Sequence, residues 1–371
     1  MARYLVYCTT APGHLFPLVP GLRALRDRGH EIHLRIGARL VDGPWADGLN
    51  VAPTDPRIDE IEVKADASGT GPAQLRRALA GLMSRGPLER ADLERAVAQV
   101  DPDVILVDTN AYGAAIAARA SGRPWGIVLP SLVALPGKGI PPYGLGLVPG
   151  RGPLGRLRDR VVWPLVIRQF GAAMLPPLNA MRADAALPPP TSPIDYFLEA
   201  DRLLVLTGDP LEYPRSDAPE HVRFVGAQIY DPPGEAPAWL AEDGDPWVLV
   251  TTSTDYQGDE RLAVAAVICH SGMGIVHKAI AAGVPVVAVP FGRDQPEVAR
   301  RVVEAGAGVM LPARRLTAQR LRDALRTAMS RRAGALNAAR RIRASGGGES
   351  FATEAEGLAA APRPAAARPA A

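Results

Sequence analysis

Cysteine is nearly absent: two residues in 371, Cys8 and Cys269. That excludes a disulfide scaffold and a cysteine-rich zinc site. Both lie in apolar runs (VYC and VIC) and read as buried, reduced thiols of a cytoplasmic protein. Long hydrophobic runs are lacking too. The longest, AAGVPVVAVPF over 281–291, is too short and too interrupted to span a bilayer, so no membrane span is expected. The apolar N-terminus runs straight into APGH without a small-residue cleavage site and does not read as a signal peptide. Charge of one sign is scarce. Lys+Arg number 42 against 39 Asp+Glu, which argues against nucleic acid as a partner. The Arg-rich segment containing Arg331, Arg332, Arg340, Arg341 and Arg343 reads as a solvated helix face. No repeat of solenoid length is present, and no clustered His/Asp spacing suggests a metal site.

What is there suits a folded α/β chain. Hydrophobic residues make up 47%, enough for sizeable cores, and 371 residues suggest two domains. RYLVYC (3–8), the loop TTAPGH, a segment with Leu18, Leu22 and Leu25 at helical spacing, and EIHLRIG (31–37) make a βαβ unit. DVILVD (103–108) is a continuous apolar run ending in Asp, the pattern of a parallel strand buried on both faces. A helix over 111–120 and strands at 124–130, 202–208 and 222–227 follow. Residues 136–193, rich in Pro and Gly, read as loops and helices. The segment 231–245 is dense in Pro, Gly and acid and reads as a linker. It divides an N-terminal domain, 1–230, from a second domain, 246–358, with a low-complexity tail over 359–371.

The second domain carries the most informative stretch, 266–310. A strand delivers His270 at its C-terminal end. Ser271, Gly272 and Gly274 then turn the chain into a helix over about 272–282, whose first N–H groups and positive dipole end suit a phosphate. Asp294 and Gln295 follow the next strand, where a carboxylate beside an amide can grip sugar hydroxyls at the carboxyl edge of a parallel sheet. The plain alternative is an ordinary strand–helix turn with a loop histidine.

HSGMG…AAGVPVVAVPFGRDQPEVARRVVEAGAG resembles the donor-binding signature of family 1 glycosyltransferases of the GT-B fold, in the bacterial branch that decorates macrolides and other natural products. APGHLFPLVPGLRAL resembles that family's first loop and helix. The resemblance implies an α/β, GT-B architecture with two facing Rossmann-like domains and parallel sheets. It implies transfer of a sugar from a dTDP- or UDP-sugar to a hydroxyl of a small hydrophobic acceptor, with inversion and without a metal or other cofactor. A homodimer is compatible with it. His14 is then the general base, since neutral imidazole suits that task near neutral pH. The resemblance makes Asp108 its partner; the alternatives are a helix-start histidine and a helix cap. His270 and the helix start would meet the leaving diphosphate's charge. Thr252 and Ser253 would add hydroxyls there, or are plain strand-end residues. Tyr143, Trp163, Phe170 and Tyr196 would shape an acceptor pocket, or pack in the core.

Three departures stand against the pattern. Ser271 replaces a common glycine and Ile275 a common threonine. Lys278 stands where many relatives have a ribose-binding glutamate; this fits a deoxyribose donor, or a solvated lysine. The interval 254–266 is too short for the usual strand–helix repeats, so the second domain reads as shortened near 254–267, by roughly 40–50 residues. If that loss is real, a non-catalytic sugar-nucleotide-binding scaffold becomes the alternative function. A sugar-nucleotide epimerase is disfavoured because the candidate base lies in the acceptor half.

Overall fold

The computed structural model describes residues 1–61, 72–233, 248–251 and 267–360. In chain order the first domain runs β1 (Arg3–Tyr7), α1 (Pro12–Leu15), α2 (Val19–Asp27), β2 (Glu31–Ile36), β3 (Asn50–Pro53), α3 (Pro56–Glu60), α4 (Pro72–Ser84), α5 (Gly86–Val100) and β4 (Val104–Asp108). It continues through α6 (Tyr112–Ala120), β5 (Trp125–Leu129), α7 (Pro153–Ala183), α8 (Pro193–Leu198), β6 (Arg202–Val205) and β7 (Val222–Phe224). The second runs β8 (Val250–Thr251), β9 (Val267–Cys269), α9 (Met273–Ala281), β10 (Val286–Ala288), α10 (Gln295–Glu304), β11 (Gly308–Met310), α11 (Ala318–Met329), α12 (Arg332–Ala344) and α13 (Gly348–Ala359).

All pairings among the described residues are parallel. The first sheet has the order β3-β2-β1-β4-β5-β6-β7 and the second β11-β10-β9-β8. Alternation sends successive residues of one strand to opposite faces. Leu5, Tyr7, Ile105 and Val107 join one core layer, with α6. Tyr4, Val6, Val104 and Leu106 join the other, with α2. Both layers are dry, so β4 is apolar throughout until Asp108 at its end. Cys8 and Cys269 are buried free thiols.

Two features differ from expectation, and a third concerns the shortened second domain. First, α13 does not pack on the second domain that precedes it. Phe351, Ala352, Ala355 and Leu358 lie in the first domain's core beside Leu22 and Leu25. Gly21 permits the approach, because a Cβ there would collide with the Phe351 ring. Arg28 clamps the crossing through Glu349 (2.7 Å) and Glu356 (2.6 Å). The second domain thus ends before 348, rather than at 358. Second, much of 136–193 is one helix, α7, of 31 residues with Pro164, Pro176 and Pro177 inside it. Among the described helices α7 alone is long and apolar enough to cross a membrane, a candidate that the reading of 281–291 as the longest apolar run passes over. Here α7 packs against α4 and α8. Third, β8 pairs only with β9 among the described residues and lies at the sheet's edge. Linker residues 234–245, the gap 254–266 and tail residues 361–371 lie outside the described residues.

The carboxyl edges of the two sheets meet. Ser131, beyond β5, donates to Asp294, beyond β10, at 2.5 Å. Thr207, beyond β6, contacts His277 of α9 at 3.3 Å. Gly146 N–H donates to Glu297 (2.7 Å), and Arg301, paired with Glu297, stacks on Tyr213 at 4.2 Å.

Candidate active site

β1 and β4 are neighbours with Tyr7 opposite Val107, so the loops that follow them emerge side by side. The first enters α1, with Pro12 in its first turn and His14 in its last. The second begins at Asp108. His14 Nδ1 lies 2.7 Å from Asp108 Oδ2. Asp108 is 2% exposed, whereas the His14 side chain keeps 24% of its surface open.

The carboxylate is held from several sides. Its Oδ2 also accepts from Thr9 Oγ1 at 3.1 Å, and its Oδ1 accepts from the Asn110 backbone N–H at 2.7 Å. Burial alone would raise the Asp108 pKa, but His14, the Asn110 N–H and the Thr9 hydroxyl outweigh it and hold it below the ordinary carboxylate value. For His14 burial pulls downward. Asp108 outweighs that by charge and hydrogen bond, Asp294 adds to it from the other domain, and Arg85 opposes, so the net shift is upward. This arrangement can accept a proton at Nε2 and stabilise the imidazolium that results.

Asn110 was not picked out by sequence pattern. Its Nδ2 lies 3.3 Å from His14 Nε2. The available signal was weak: a short amide two residues beyond a strand-end Asp, suited to an Asx-type turn.

On the opposite wall β9 leads into α9 through His270, Ser271 and Gly272. Gly272 caps α9 without any side-chain hydrogen bond, so the cap residue itself does not compete for the helix's first N–H groups. A Cβ on Gly272 would collide with the His270 ring, whereas one on Gly274 would meet open space. Ser271 has φ +70°, is fully buried, and its Oγ has no hydrogen-bond partner. That left-handed backbone explains why a glycine suits the position better.

Asp294 stands at the cleft, bonded to Ser131. Gln295 does not share that position. It is 2% exposed, and its Oε1 accepts from the Phe291 and Gly292 N–H groups at 2.8 and 3.2 Å, so it braces the loop that carries Asp294. Thr252 and Ser253 lie outside the described residues. Lys278 pairs with Asp231 at 2.6 Å. Trp163 is buried and donates to Ile140 O, Tyr196 is buried against Tyr112, and Phe170 packs on the first core. These three are packing residues here. Tyr143 packs against the core at the domain junction. Among the described residues no group of three or more His, Cys, Asp or Glu could hold a metal ion.

Two parallel-sheet domains with their carboxyl edges opposed, one bearing an imidazole–carboxylate pair and the other an uncapped helix start behind a glycine turn, define the GT-B class. The family described as "Erythromycin biosynthesis protein CIII-like, C-terminal domain" matches residues 261–355. The chain is 27% identical over 388 residues to 4'-demethylrebeccamycin synthase of Lentzea aerocolonigenes, covering 88% of this chain and 92% of that one. Because 388 exceeds the 371 residues of this chain, that relative carries segments this one lacks. It is 28% identical over 349 residues to elloramycin glycosyltransferase ElmGT of Streptomyces olivaceus, covering 83% and 85%. Among solved structures, the calicheamicin glycosyltransferase CalG4 superposes with a TM-score of 0.68 at 18% identity, covering 97% and 100%. VinC, solved with DTDP, gives 0.67 at 20% identity, covering 96% and 99%. The fold is that of the GT-B glycosyltransferases, and the chain is similar to the macrolide-type, natural-product members of that class.

Proposed function

We propose that the protein transfers a sugar from a nucleotide-diphosphate sugar, dTDP- or UDP-linked, to a hydroxyl of a small apolar acceptor, with inversion and without a metal. The observation that carries this is the 2.7 Å contact between His14 and the buried Asp108, with His14 still open to the cleft. The acceptor hydroxyl gives its proton to His14 Nε2 as its oxygen attacks the anomeric carbon. The bond from that carbon to the diphosphate breaks, and the leaving charge meets His270 and the N-terminus of α9. Asp108 holds the ring and balances the imidazolium. Asp294 engages a sugar hydroxyl in exchange for Ser131. Support for the donor class comes from relatives named as glycosyltransferases and from related folds solved with thymidine diphosphate.

The test is product formation from nucleotide sugars over a panel of hydroxylated polyketide and flavonoid acceptors, with and without EDTA. His14→Ala should abolish transfer while calorimetry still shows donor binding. Transfer within tenfold of the parent in that variant would end the assignment of His14. Donor binding with no turnover on any acceptor would favour the second reading, a sugar-nucleotide-binding protein without transfer. Among the described residues β8 stands at the edge of a four-stranded sheet, which points that way.

A further inference from the structure

His14 is gripped at both ring nitrogens by one short stretch of chain, and the grip at Nε2 belongs to a residue without an assigned role. We propose that Asn110 is a positioning residue for transfer: it holds His14 with the proton on Nδ1 and the lone pair on Nε2 until an acceptor hydroxyl takes its place. This rests on the reading of His14 as the base.

The geometry argues as follows. Asp108 Oδ2 accepts at Nδ1, so Nδ1 carries a proton. Nε2 of the neutral ring is then an acceptor, and the amide NH2 of Asn110 at 3.3 Å is the group that can donate to it. The opposite amide orientation would face carbonyl oxygen to lone pair. The stretch that supplies both grips is itself fixed. Asn110 N–H donates to Asp108 Oδ1 (2.7 Å), Arg85 Nη2 donates to Asn110 O (3.3 Å), and Tyr196 Oη donates to Thr109 O (3.2 Å). Arg85 is in turn paired with Glu89 at 3.3 Å, and Glu89 accepts from Gly113 N–H at 3.0 Å. Arg85 and Glu89 are both buried, so the pair is screened little by solvent. An amide suits the site chemically. Its NH2 donates to the lone pair of the neutral ring and gives way when an acceptor hydroxyl takes that place. A carboxylate would instead favour imidazolium, and a methyl would leave the lone pair to water.

The charged groups bearing on His14 are Asp108 on β4, Asp294 from the second domain, and Arg85 ahead of α5. Donation from Asn110 favours neutral imidazole, so its removal should raise the His14 pKa. The test is the titration of the His14 ring nitrogens by NMR in the full-length enzyme without substrates, beside kcat and KM against pH. Asn110→Ala should raise the His14 pKa by about half to one unit. It should lower kcat about tenfold and leave the acceptor KM within about threefold. Asn110→Asp, which is isosteric and tests the same point if the alanine variant misfolds, should raise that pKa further. Identical His14 titration in all three proteins would overturn the role of Asn110. Retained transfer in His14→Ala would instead overturn the reading of His14 as base, and the two failures are read in different experiments.

Discussion

The two sheets solve the same topological problem with very different lengths of chain. In the first domain β1 and β4 are adjacent parallel strands, and residues 8–103 between them build β2 and β3 on the far side of β1. In the second, β8 and β9 are adjacent parallel strands, and only residues 252–266 lie between them. Fifteen residues suffice for one crossover but not for two further strands with their connections. The switch point of a doubly wound sheet normally has a built half on each side. Here the half that carries α9, His270 and Asp294 is built, and among the described residues the other is β8 alone. Among the described residues the first domain is thus built on both sides of the proposed base, while the second is built on one side of its switch point.

The largest effect that tests this contrast is catalytic. His14→Ala, in the first domain, should cut kcat by about 10²–10⁴-fold. His270→Ala should cost about a hundredfold and weaken donor binding as well. Equal losses in kcat alone would blur the distinction. The pH profile sharpens it. A general base acts when deprotonated, and the His14 pKa is raised, so activity should fall as pH drops through a value above the ordinary 6.5. An acidic limb at or below 6.5 would contradict the coupling to Asp108. By linkage, the His14–Asp108 interaction adds stability fully below the unfolded histidine pKa and loses it as pH rises through the folded one.

Next in size is stability. Phe351→Ala should destabilise the first domain by about 3–5 kcal/mol although the residue lies near the C-terminus. Hydrogen exchange should place the loss in β1, β4 and α2; a loss confined to α9–α12 would show that α13 belongs to the second domain after all. Smaller is the expected base discrimination. With one half of the crevice reduced, thymidine, uridine and guanosine diphosphates should bind within about threefold of one another, about 0.7 kcal/mol. A tenfold preference for one base would show that the donor half is complete in solution. Smallest is Ser271→Gly, which relieves a left-handed backbone and a buried hydroxyl without a partner. It should stabilise the protein by about 1 kcal/mol in denaturant unfolding, and any destabilisation would refute the strain.

The buried parallel strands were readable because dry faces demand apolar runs, as in VILVD. The turn at 270–274 was readable because a helix start against a strand end needs small residues. Other elements were not. Pro164, Pro176 and Pro177 disguise α7, since a proline breaks a helix only where its missing N–H and its ring cannot be accommodated. The helix α13 carries a plain amphipathic pattern, and nothing local says which sheet it covers. Gln295 stands beside Asp294 in sequence yet turns inward, because its amide answers backbone N–H groups of its own loop. Asn110 carries only the weak signal of a short amide two residues beyond a strand-end Asp.

By itself the sequence determined the alternation of strand and helix, the polar residues at the carboxyl ends of the strands, and the shortness of the β8–β9 connection. These depend on neighbours along the chain. Tertiary structure alone decided that His14 meets Asp108 across 94 residues, that Ser131 meets Asp294 across 163, and that the last helix closes the first domain. Local periodicity records which face of an element is dry. It does not record which partner covers that face, because the choice is made by packing among all elements at once.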